Sequence, residues 1–287
     1  MRMVDISQKP PYPPKPTKAK SGGKVTAIAG FRYSSGVVLC ADSELNYGTV
    51  VKTHINKISV FGDTSQGVRG ALTGSGDWDD VQRVVQDIQK HWIEILDGQV
   101  TFDEVVGKKV EELYEQSSQD PNWTLAVIAV VWTAGGKACV IKADDRKGVK
   151  MVSDFACDGM GAAFGHYLAG SLHFPNMAKY YGICLASYIL YMADAYAPFC
   201  GGLGNIFTLD DDGSPFMELE WDMEAQREFF KRFTYAIRPI LLEGPSSDVP
   251  PDAFDNTVEE FVAQLRKLRK DVELDMYEKA KKYGHLD

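Results

Sequence analysis

Three residues with complementary chemistry occur near the start of the chain. Thr26 begins a short apolar segment, Asp42 ends the next one, and Lys57 follows fifteen residues later. A threonine hydroxyl becomes a nucleophile when a base removes its proton, and the free α-amine of the same threonine is one such base. That amine exists only if the bond between Val25 and Thr26 is cleaved, and its pKa of about 7.7–8.0 suits proton transfer near neutral pH. The three side chains therefore indicate a nucleophilic site that depends on this cleavage.

Each of the three residues also has a simpler interpretation. A threonine in a strand commonly faces solvent, and a lysine at the start of a strand commonly lies on the surface. An aspartate in a turn commonly accepts backbone N–H bonds. The residues alone therefore leave two interpretations open, a nucleophilic site and three unrelated polar side chains.

The composition excludes several classes of function. The 287 residues are enough for one large domain or two small ones with a substantial core. The net charge of −9 argues against nucleic-acid binding, because neutralising phosphates needs a basic surface. No apolar run approaches the ~20 residues of a membrane-spanning helix, so no membrane association is expected. We find no phosphate-binding loop, metal-ligand spacing or cofactor motif, and we predict no cofactor and no metal.

The five cysteines occur at unpatterned spacing, mostly within apolar segments. They fit neither a zinc motif nor a disulfide framework, and they indicate reduced thiols packed in a core. The first residues of the chain lack the apolar segment of a secretory signal. A cytoplasmic protein is predicted.

Residues 1–24 differ in composition from the rest of the chain. Five prolines and five lysines occur there, and a Ser-Gly-Gly sequence lies near the end of the segment. Such a composition disfavours both a helix and a packed core. We predict either a flexible tail or a propeptide that ends just before Thr26.

Apolar periodicity in the remaining residues predicts separate blocks of strands and helices. After the opening hairpin, strands are predicted at Asn56–Phe61, Val68–Thr73, Trp123–Trp132, Lys137–Ala143, Lys150–Ala156 and Leu203–Leu209. Helices are predicted from Asp77, from Thr101, and at Ala162–Ser171, Asn176–Tyr196, Glu224–Ile237 and Asn256–Tyr283. Gly74-Ser75-Gly76 is predicted to end a strand. Blocks of this kind are typical of segregated layers, so the α+β class is predicted, with a domain at 25–222 and a helical extension at 223–287.

The opening hairpin resembles the proteasome β-type subunit family of N-terminal-nucleophile hydrolases. Thr26–Gly30 is similar to the start of the processed family chain, and Tyr33–Asp42 is similar to its aromatic-turn-Gly-Val-Val-Leu-x-Ala-Asp pattern. Lys57-Ile58 matches the family's Lys-Ile after one deletion. Looser matches bring the resemblance as far as Leu209, and they occur at Thr73-Gly74, Gly159-Met160-Gly161 and Asp194 with Gly201-Gly202.

This resemblance implies a four-layer αββα sandwich and a role for each matched residue. Thr26 would be the nucleophile, Lys57 would help its hydroxyl to lose a proton, and Asp42 would orient the lysine. Gly74 would offer a backbone N–H to the oxyanion, and Asp194 would support the site. The implied partners are a polypeptide substrate, further copies of the chain in a homo-oligomer or ring, and an ATP-dependent regulator.

The sequence departs from the family pattern at several positions. Met160 replaces a serine that positions the nucleophile's amine, and Ala197–Cys200 replaces the link that contains a second serine. Glu44 occupies an arginine position, and Val25 precedes Thr26 where self-cleaving members have glycine.

Two hypotheses therefore remain. The first is a threonine peptidase made as a precursor (a zymogen), which the three central residues favour. The second is an unprocessed, catalytically inactive subunit that acts as a structural or binding scaffold, which Met160 and Val25 favour.

Overall fold

The computed structural model describes residues 26–47, 51–62, 67–117, 120, 122–144, 148–218, 220–246 and 248–282. The predicted tail, residues 1–24, and Val25 lie outside the described residues. Within the described ranges the strands are β1 (Ala27–Tyr33), β2 (Gly36–Ala41), β3 (Glu44–Tyr47), β4 (Val51–His54), β5 (Ser59–Phe61), β6 (Val68–Gly76), β7 (Leu125–Thr133), β8 (Cys139–Asp144), β9 (Gly148–Val152), β10 (Phe155–Gly159), β11 (Asn205–Asp210) and β12 (Pro215–Met217). The helices are α1 (Trp78–Lys90), α2 (Trp92–Leu96), α3 (Phe102–Ser117), α4 (Ala162–Leu172), α5 (Lys179–Tyr196), α6 (Glu220–Ala236), α7 (Arg238–Glu243) and α8 (Pro251–Lys282).

The first sheet has the spatial order β10-β1-β2-β11-β12, and its neighbouring strands are antiparallel. It contains the predicted opening hairpin, β1–β2, and β2 is buried along its whole length. Val37 and Leu39 pack into the core between the two sheets, whereas Val38 and Cys40 pack towards helices on the opposite face. Because successive side chains of a strand point to opposite faces, a strand covered on both sides needs a continuous apolar segment.

The second sheet has the order β5-β6-β7-β8-β9 and is also antiparallel. Ile128 and Val130 of its central strand face the first sheet, and Val127 and Ala129 face helices on the other side. The two sheets therefore share one apolar core, and each has a second core beneath its helices.

Helices cover the outer faces of both sheets. α1 and α3 pack on the second sheet, and α4 and α5 pack on the first. The layers follow the order helix, sheet, sheet, helix, so the predicted four-layer αββα sandwich of the α+β class is confirmed. A C-terminal helical extension, α6–α8 (Glu220–Lys282), adds to this body because α6 packs on α5 and on α8. In the described ranges, none of the helices combines the length and apolarity needed to cross a bilayer.

The segment predicted as one strand, Lys150–Ala156, is divided between the two sheets. β9 pairs with β8 in the second sheet, whereas β10 pairs with β1 in the first. The exposed Ser153 and Asp154 form the bend between them. A bend of two residues without glycine or proline gives little sequence signal, and the prediction missed the change of sheet for that reason.

The strand predicted at Val68–Thr73 extends to Gly76, because Gly74–Gly76 pairs in register with β7. A Cβ on Gly74 would lie 2.6 Å from the side chain of Val81 in α1. The glycine therefore permits a close approach of helix and sheet, and a turn is not its reason for being there.

The helix predicted from Asp77 to Asp97 is divided at His91 into α1 and α2. Four short elements had no prediction: β3, β4, β12 and α7. The β3–β4 hairpin pairs Glu44 with His54 and Leu45 with Thr53. It lies between Asp42 and Lys57 in the chain. The hairpin therefore carries the chain out from the first sheet and returns it to the start of β5.

Candidate functional site

The fold brings Thr26, Asp42 and Lys57 to one end of the first sheet. Thr26 directly precedes β1 and Asp42 directly follows β2. These two strands are antiparallel, with Ile28 opposite Ala41, so the start of one lies beside the end of the other. The backbone N–H of Asp42 donates to the carbonyl oxygen of Ala27 at 2.9 Å and closes this end of the pair.

The three side chains form a closed hydrogen-bonded group. Lys57 Nζ donates to Thr26 Oγ1 at 2.7 Å and to Asp42 Oδ1 at 2.9 Å. Thr26 Oγ1 donates to the same carboxylate oxygen. The exposed fractions of Thr26, Asp42 and Lys57 are only 3%, 2% and 2%. In such a place their mutual attraction is weakly screened by solvent.

Backbone donors complete the surroundings of the Asp42 carboxylate. Ala27 N–H donates to Oδ1 at 3.0 Å, and Gly201 N–H donates to Oδ2 at 3.2 Å. The carboxylate thus accepts bonds from two N–H groups, a hydroxyl and an ammonium, and its position is fixed by all four donors. Asp42 therefore provides the negative charge that a buried ammonium needs, and it holds Lys57 against Thr26.

The arrangement sets what each group can do chemically. Because the Lys57 ammonium donates to Thr26 Oγ1, it can stabilise negative charge that develops on this oxygen. The same ammonium has no lone pair with which to accept the hydroxyl proton. The proton acceptor must therefore be another group, and the α-amine of Thr26 is the nearest chemical candidate once it is free.

Two glycines support the backbone of Thr26. Gly161 N–H donates to the Thr26 carbonyl oxygen at 3.2 Å. Gly159 has a φ of +88°, and a Cβ on it would clash with that same carbonyl oxygen. Between them, the side chain of Met160 is 40% exposed. The Gly-Met-Gly segment therefore lies against Thr26, but its central side chain has no hydroxyl to offer to an amine.

Asp194, like Asp42, lies close to Gly201. A Cβ on Gly201 would lie 3.1 Å from Asp194 Oδ1 and 2.5 Å from Glu44 Oε2. Asp194 forms an ion pair with Arg227 of α6. Burial raises the pKa of the Asp194 carboxyl, and the positive charge of Arg227 opposes this shift. The structure thus places Asp194 next to Gly201, which itself donates to the Asp42 carboxylate.

Gly74, the suggested oxyanion donor, lies inside β6 opposite Val127. It packs beneath α1 as described above, and its role in binding an oxyanion stays a prediction.

Cys200 is a further nucleophile type near the site. Its side chain is buried, and burial raises the pKa of the thiol to about 12. Since the thiolate is the reactive form of cysteine, a thiol held protonated in this way is a poor competitor for Thr26. All five cysteines are free thiols, as expected from the sequence. Among the residues that the structure describes, no cluster of three or more His, Cys, Asp or Glu side chains is suited to a metal ion.

Sequence reasoning missed two contributors to this site, Gly201 and Arg227. Gly201 acts through its backbone N–H, which leaves no side-chain signal. Its Gly-Gly sequence matches the family pattern only loosely. Arg227 lies 33 residues beyond Asp194, in a helix whose packing on α5 no local pattern indicates.

Comparisons with known proteins identify the fold. No protein-family model matches the chain, and no curated protein gives a significant match. Among solved structures, "Anbu (ancestral beta-subunit)" from Yersinia bercovieri superposes with a TM-score of 0.64 at 14% identity, and the match covers 75% of this chain and 97% of that one. The "Anbu (Gly-1) mutant" from Hyphomicrobium sp. strain MC1 gives 0.67 at 17% identity, with 78% and 100% covered.

A third structure, the helical assembly of the Anbu complex from Pseudomonas aeruginosa, gives a TM-score of 0.62 at 15% identity over 79% of this chain and 99% of that one. The prediction of membership in the proteasome β-type subunit family is therefore wrong, because the structures matched are Anbu proteins. The general fold implied by the resemblance was right. At these identities the comparison shows the fold alone, and this chain has the αββα fold of the matched Anbu structures.

Proposed function

We propose that the chain is a threonine-type amide hydrolase, with Thr26 as nucleophile after cleavage of the Val25–Thr26 bond. The observation that carries the proposal is the buried group in which Lys57 Nζ lies 2.7 Å from Thr26 Oγ1 and 2.9 Å from Asp42 Oδ1. An isolated strand threonine has no need of a buried lysine beside its hydroxyl. Placing an ammonium there has a high desolvation cost. A catalytic role accounts for this cost, because the ammonium then stabilises the negative charge that develops on the hydroxyl oxygen during the reaction.

The proposed reaction proceeds through an ester. The free amine of Thr26 accepts the hydroxyl proton, and Oγ1 attacks the carbonyl carbon of the substrate amide. The Lys57 ammonium stabilises the developing charge on Oγ1, and Asp42 keeps Lys57 in place. The amine then gives its proton to the leaving nitrogen as the C–N bond breaks. Water, deprotonated by the same amine, hydrolyses the acyl-threonine ester and restores the hydroxyl.

The proposal includes a polypeptide substrate and assembly into a homo-oligomer. The fold match to an Anbu complex that forms a helical assembly supports self-association as the form in which this chain works. An ATP-dependent regulator is the remaining predicted partner. A cytoplasmic location is part of the proposal, and the free cysteines support it because thiols persist in reducing compartments.

A scaffold without catalysis is the second candidate function. The observation in its favour is Met160, which lies in the segment that touches Thr26 and supplies no hydroxyl. In that case the Lys57–Asp42 pair serves only to hold the ends of β1 and β2 together.

Mass analysis of the full-length chain with a threonine-directed electrophile separates the two candidates. The enzyme is expected to begin at Thr26 and to gain one adduct of a β-lactone probe on that residue. Thr26→Ala should retain residues 1–25, gain no adduct, and cleave fluorogenic peptide amides at least about 10³-fold more slowly. Thr26→Ser, which keeps a hydroxyl, is the matched control and should retain part of the reactivity. A chain that begins at Met1 or Arg2 and gains no adduct would leave only the scaffold.

A further inference from the structure

The C-terminal helical extension packs on α5, the helix that ends just before the Gly201-Gly202 turn. Phe230 of α6 stacks on Tyr188 of α5 with 4.7 Å between ring centroids. One turn earlier, Ser187 Oγ donates to Gln226 Oε1, and Met223 is buried among residues of α5. These contacts fix the register of α6 along α5, and therefore the position of Arg227.

Arg227 acts on the last turn of α5. Its guanidinium pairs with Asp194, two residues before the helix ends at Tyr196. Asp194 Oδ1 also lies against the Gly201-Gly202 turn, because a Cβ on Gly201 would be 3.1 Å from it. An ion pair from the extension thus reaches the turn that follows α5.

The same turn holds the Asp42 segment on its other side. The carbonyl oxygen of Gly201 accepts the backbone N–H of Ser43 at 3.1 Å and of Glu44 at 3.0 Å. Gly201 N–H donates to Asp42 Oδ2 at 3.2 Å. Gly201 is therefore close to both Asp194 and Asp42, and a movement of the turn changes the orientation of the carboxylate that holds Lys57.

We propose that Arg227 is a positioning residue for the site. It acts through Asp194 and the Gly201-Gly202 turn to fix the Asp42 carboxylate, and it makes the C-terminal extension part of the reaction machinery. The catalytic part of this inference rests on the proposed function, whereas the structural part does not.

If the pair had a purely structural role, removing Arg227 would lower the free energy of unfolding of the whole fold. The side chains of Arg227 and Asp194 are 41% and 21% exposed, and ion pairs this accessible contribute little to the stability of a fold. Removal of Arg227 should therefore leave global unfolding almost unchanged. A positioning role shows instead as local loosening of the turn and as a loss of kcat at unchanged KM, because substrate contacts stay intact.

Arg232 provides the matched control. It lies in the same helix and pairs with Asp271 of α8 at 2.8 Å, with a side-chain exposure of 42%. Arg232→Ala therefore removes an ion pair of α6 whose arginine is as exposed as Arg227 and that is not directed at the Gly201 turn.

The experiment compares Arg227→Ala, Arg227→Lys and Arg232→Ala in the full-length chain. We expect hydrogen exchange of the peptide 199–204 to accelerate about three- to tenfold in Arg227→Ala and to stay unchanged in Arg232→Ala. We expect kcat for a peptide amide to fall about tenfold in Arg227→Ala, with partial rescue by lysine. Unfolding midpoints should agree among all variants.

The two readouts separate failure of this inference from failure of the proposed function. If exchange at 199–204 is the same in Arg227→Ala and Arg232→Ala, the positioning role is overturned, whether or not the protein is active. If exchange rises as expected while the unmodified chain shows no hydrolysis and no adduct at Thr26, Arg227 still positions the turn and the proposed function fails. Accelerated exchange with an unchanged kcat overturns the catalytic part of the inference.

Discussion

At the scale of single residues, the geometry around Thr26 depends as much on glycines, which have no side chain, as on the polar side chains of the site. Gly159, Gly161 and Gly201 each lie where a Cβ would meet the site. The neighbours that it would meet are the Thr26 carbonyl oxygen, the Ala27 side chain and the Glu44 carboxylate, respectively. The backbone can therefore approach closely, and its N–H groups reach Thr26 and Asp42. The glycines thus contribute hydrogen-bond donors that no larger residue would leave accessible.

Gly159→Ala tests this close approach, with Gly98→Ala as its matched control. Both glycines have positive φ, +88° and +68°, but a Cβ at Gly98 has nothing within 4 Å. Gly98→Ala should lower the free energy of unfolding by about 1 kcal/mol, the cost of the left-handed backbone. Gly159→Ala adds the clash with Thr26, so we expect a loss of about 2–4 kcal/mol in urea denaturation. Equal losses in the two variants would show that Thr26 moves aside freely.

The proximity of Thr26, Asp42 and Lys57 could be predicted from the sequence, and the support around them could not. Antiparallel pairing of two short apolar segments places the start of one beside the end of the other, which brings Thr26 to Asp42. The contribution of Gly201 depends on a backbone N–H, and that of Arg227 on how α6 packs against α5. Both are tertiary facts without a local sequence pattern.

At the scale of elements, long periodic segments were predictable and changes of partner were not. α1 follows a clear apolar stripe and is capped by Asp77, whose carboxylate accepts the N–H of Asp79 at 2.8 Å. By contrast, β9 and β10 are adjacent in sequence and belong to different sheets. Which sheet a strand joins is decided by the register of partners distant in sequence, so a local pattern carries no signal of it.

The junction between β12 and α6 contains a pair of carboxyl groups with a consequence for pH dependence. Burial, and then the charge and hydrogen bond of Asp222, raise the pKa of Glu218 to about 7. Between the ordinary pKa of glutamate, about 4.3, and 7, the folded state keeps a proton that the unfolded state has lost. The free energy of unfolding contributed by this group therefore falls as the pH rises through this window.

Glu218→Gln should remove this pH dependence, because an amide does not titrate in this pH range. Between pH 5 and pH 8, the free energy of unfolding of the variant should rise by about 1 kcal/mol relative to that of the unmodified chain. This figure allows for solvent screening at a partly exposed group. Urea denaturation at several pH values measures the difference. Glu259→Gln, at an exposed position of α8, is the control for the loss of one carboxylate. Parallel curves for the unmodified chain and Glu218→Gln would contradict the proposed proton uptake.

At the scale of the whole molecule, the two sheets are joined by a polar link as well as by apolar packing. Lys142 Nζ in β8 pairs with Asp158 Oδ2 in β10 at 2.7 Å, and Ser75 Oγ in β6 donates to Asp158 Oδ1 at 2.8 Å. Asp158 is 7% exposed and directly precedes Gly159, which supports Thr26. Contacts between apolar side chains tolerate sliding of one sheet over the other, whereas this link has directional requirements. It therefore fixes the alignment of the two sheets at the end where the site lies.

Lys142→Met tests the importance of this link for the whole fold. The substitution keeps most of the side-chain volume and leaves the Asp158 carboxylate buried without its cation, which typically costs about 3–5 kcal/mol.

Lys150→Met is a close control, because Lys150 lies directly opposite Lys142 on β9 and is exposed. The free energy of unfolding of Lys150→Met should differ from that of the unmodified chain by no more than about 0.5 kcal/mol. For a domain of this size, the expected loss in Lys142→Met corresponds to a fall in Tm of about 6–20 °C, which calorimetry resolves easily. The Thr26 adduct should also form more slowly in Lys142→Met, because Asp158 and Gly159 are consecutive and a shift between the sheets moves the backbone that holds the nucleophile. A small effect equal to that of Lys150→Met would mean that apolar packing alone aligns the two sheets.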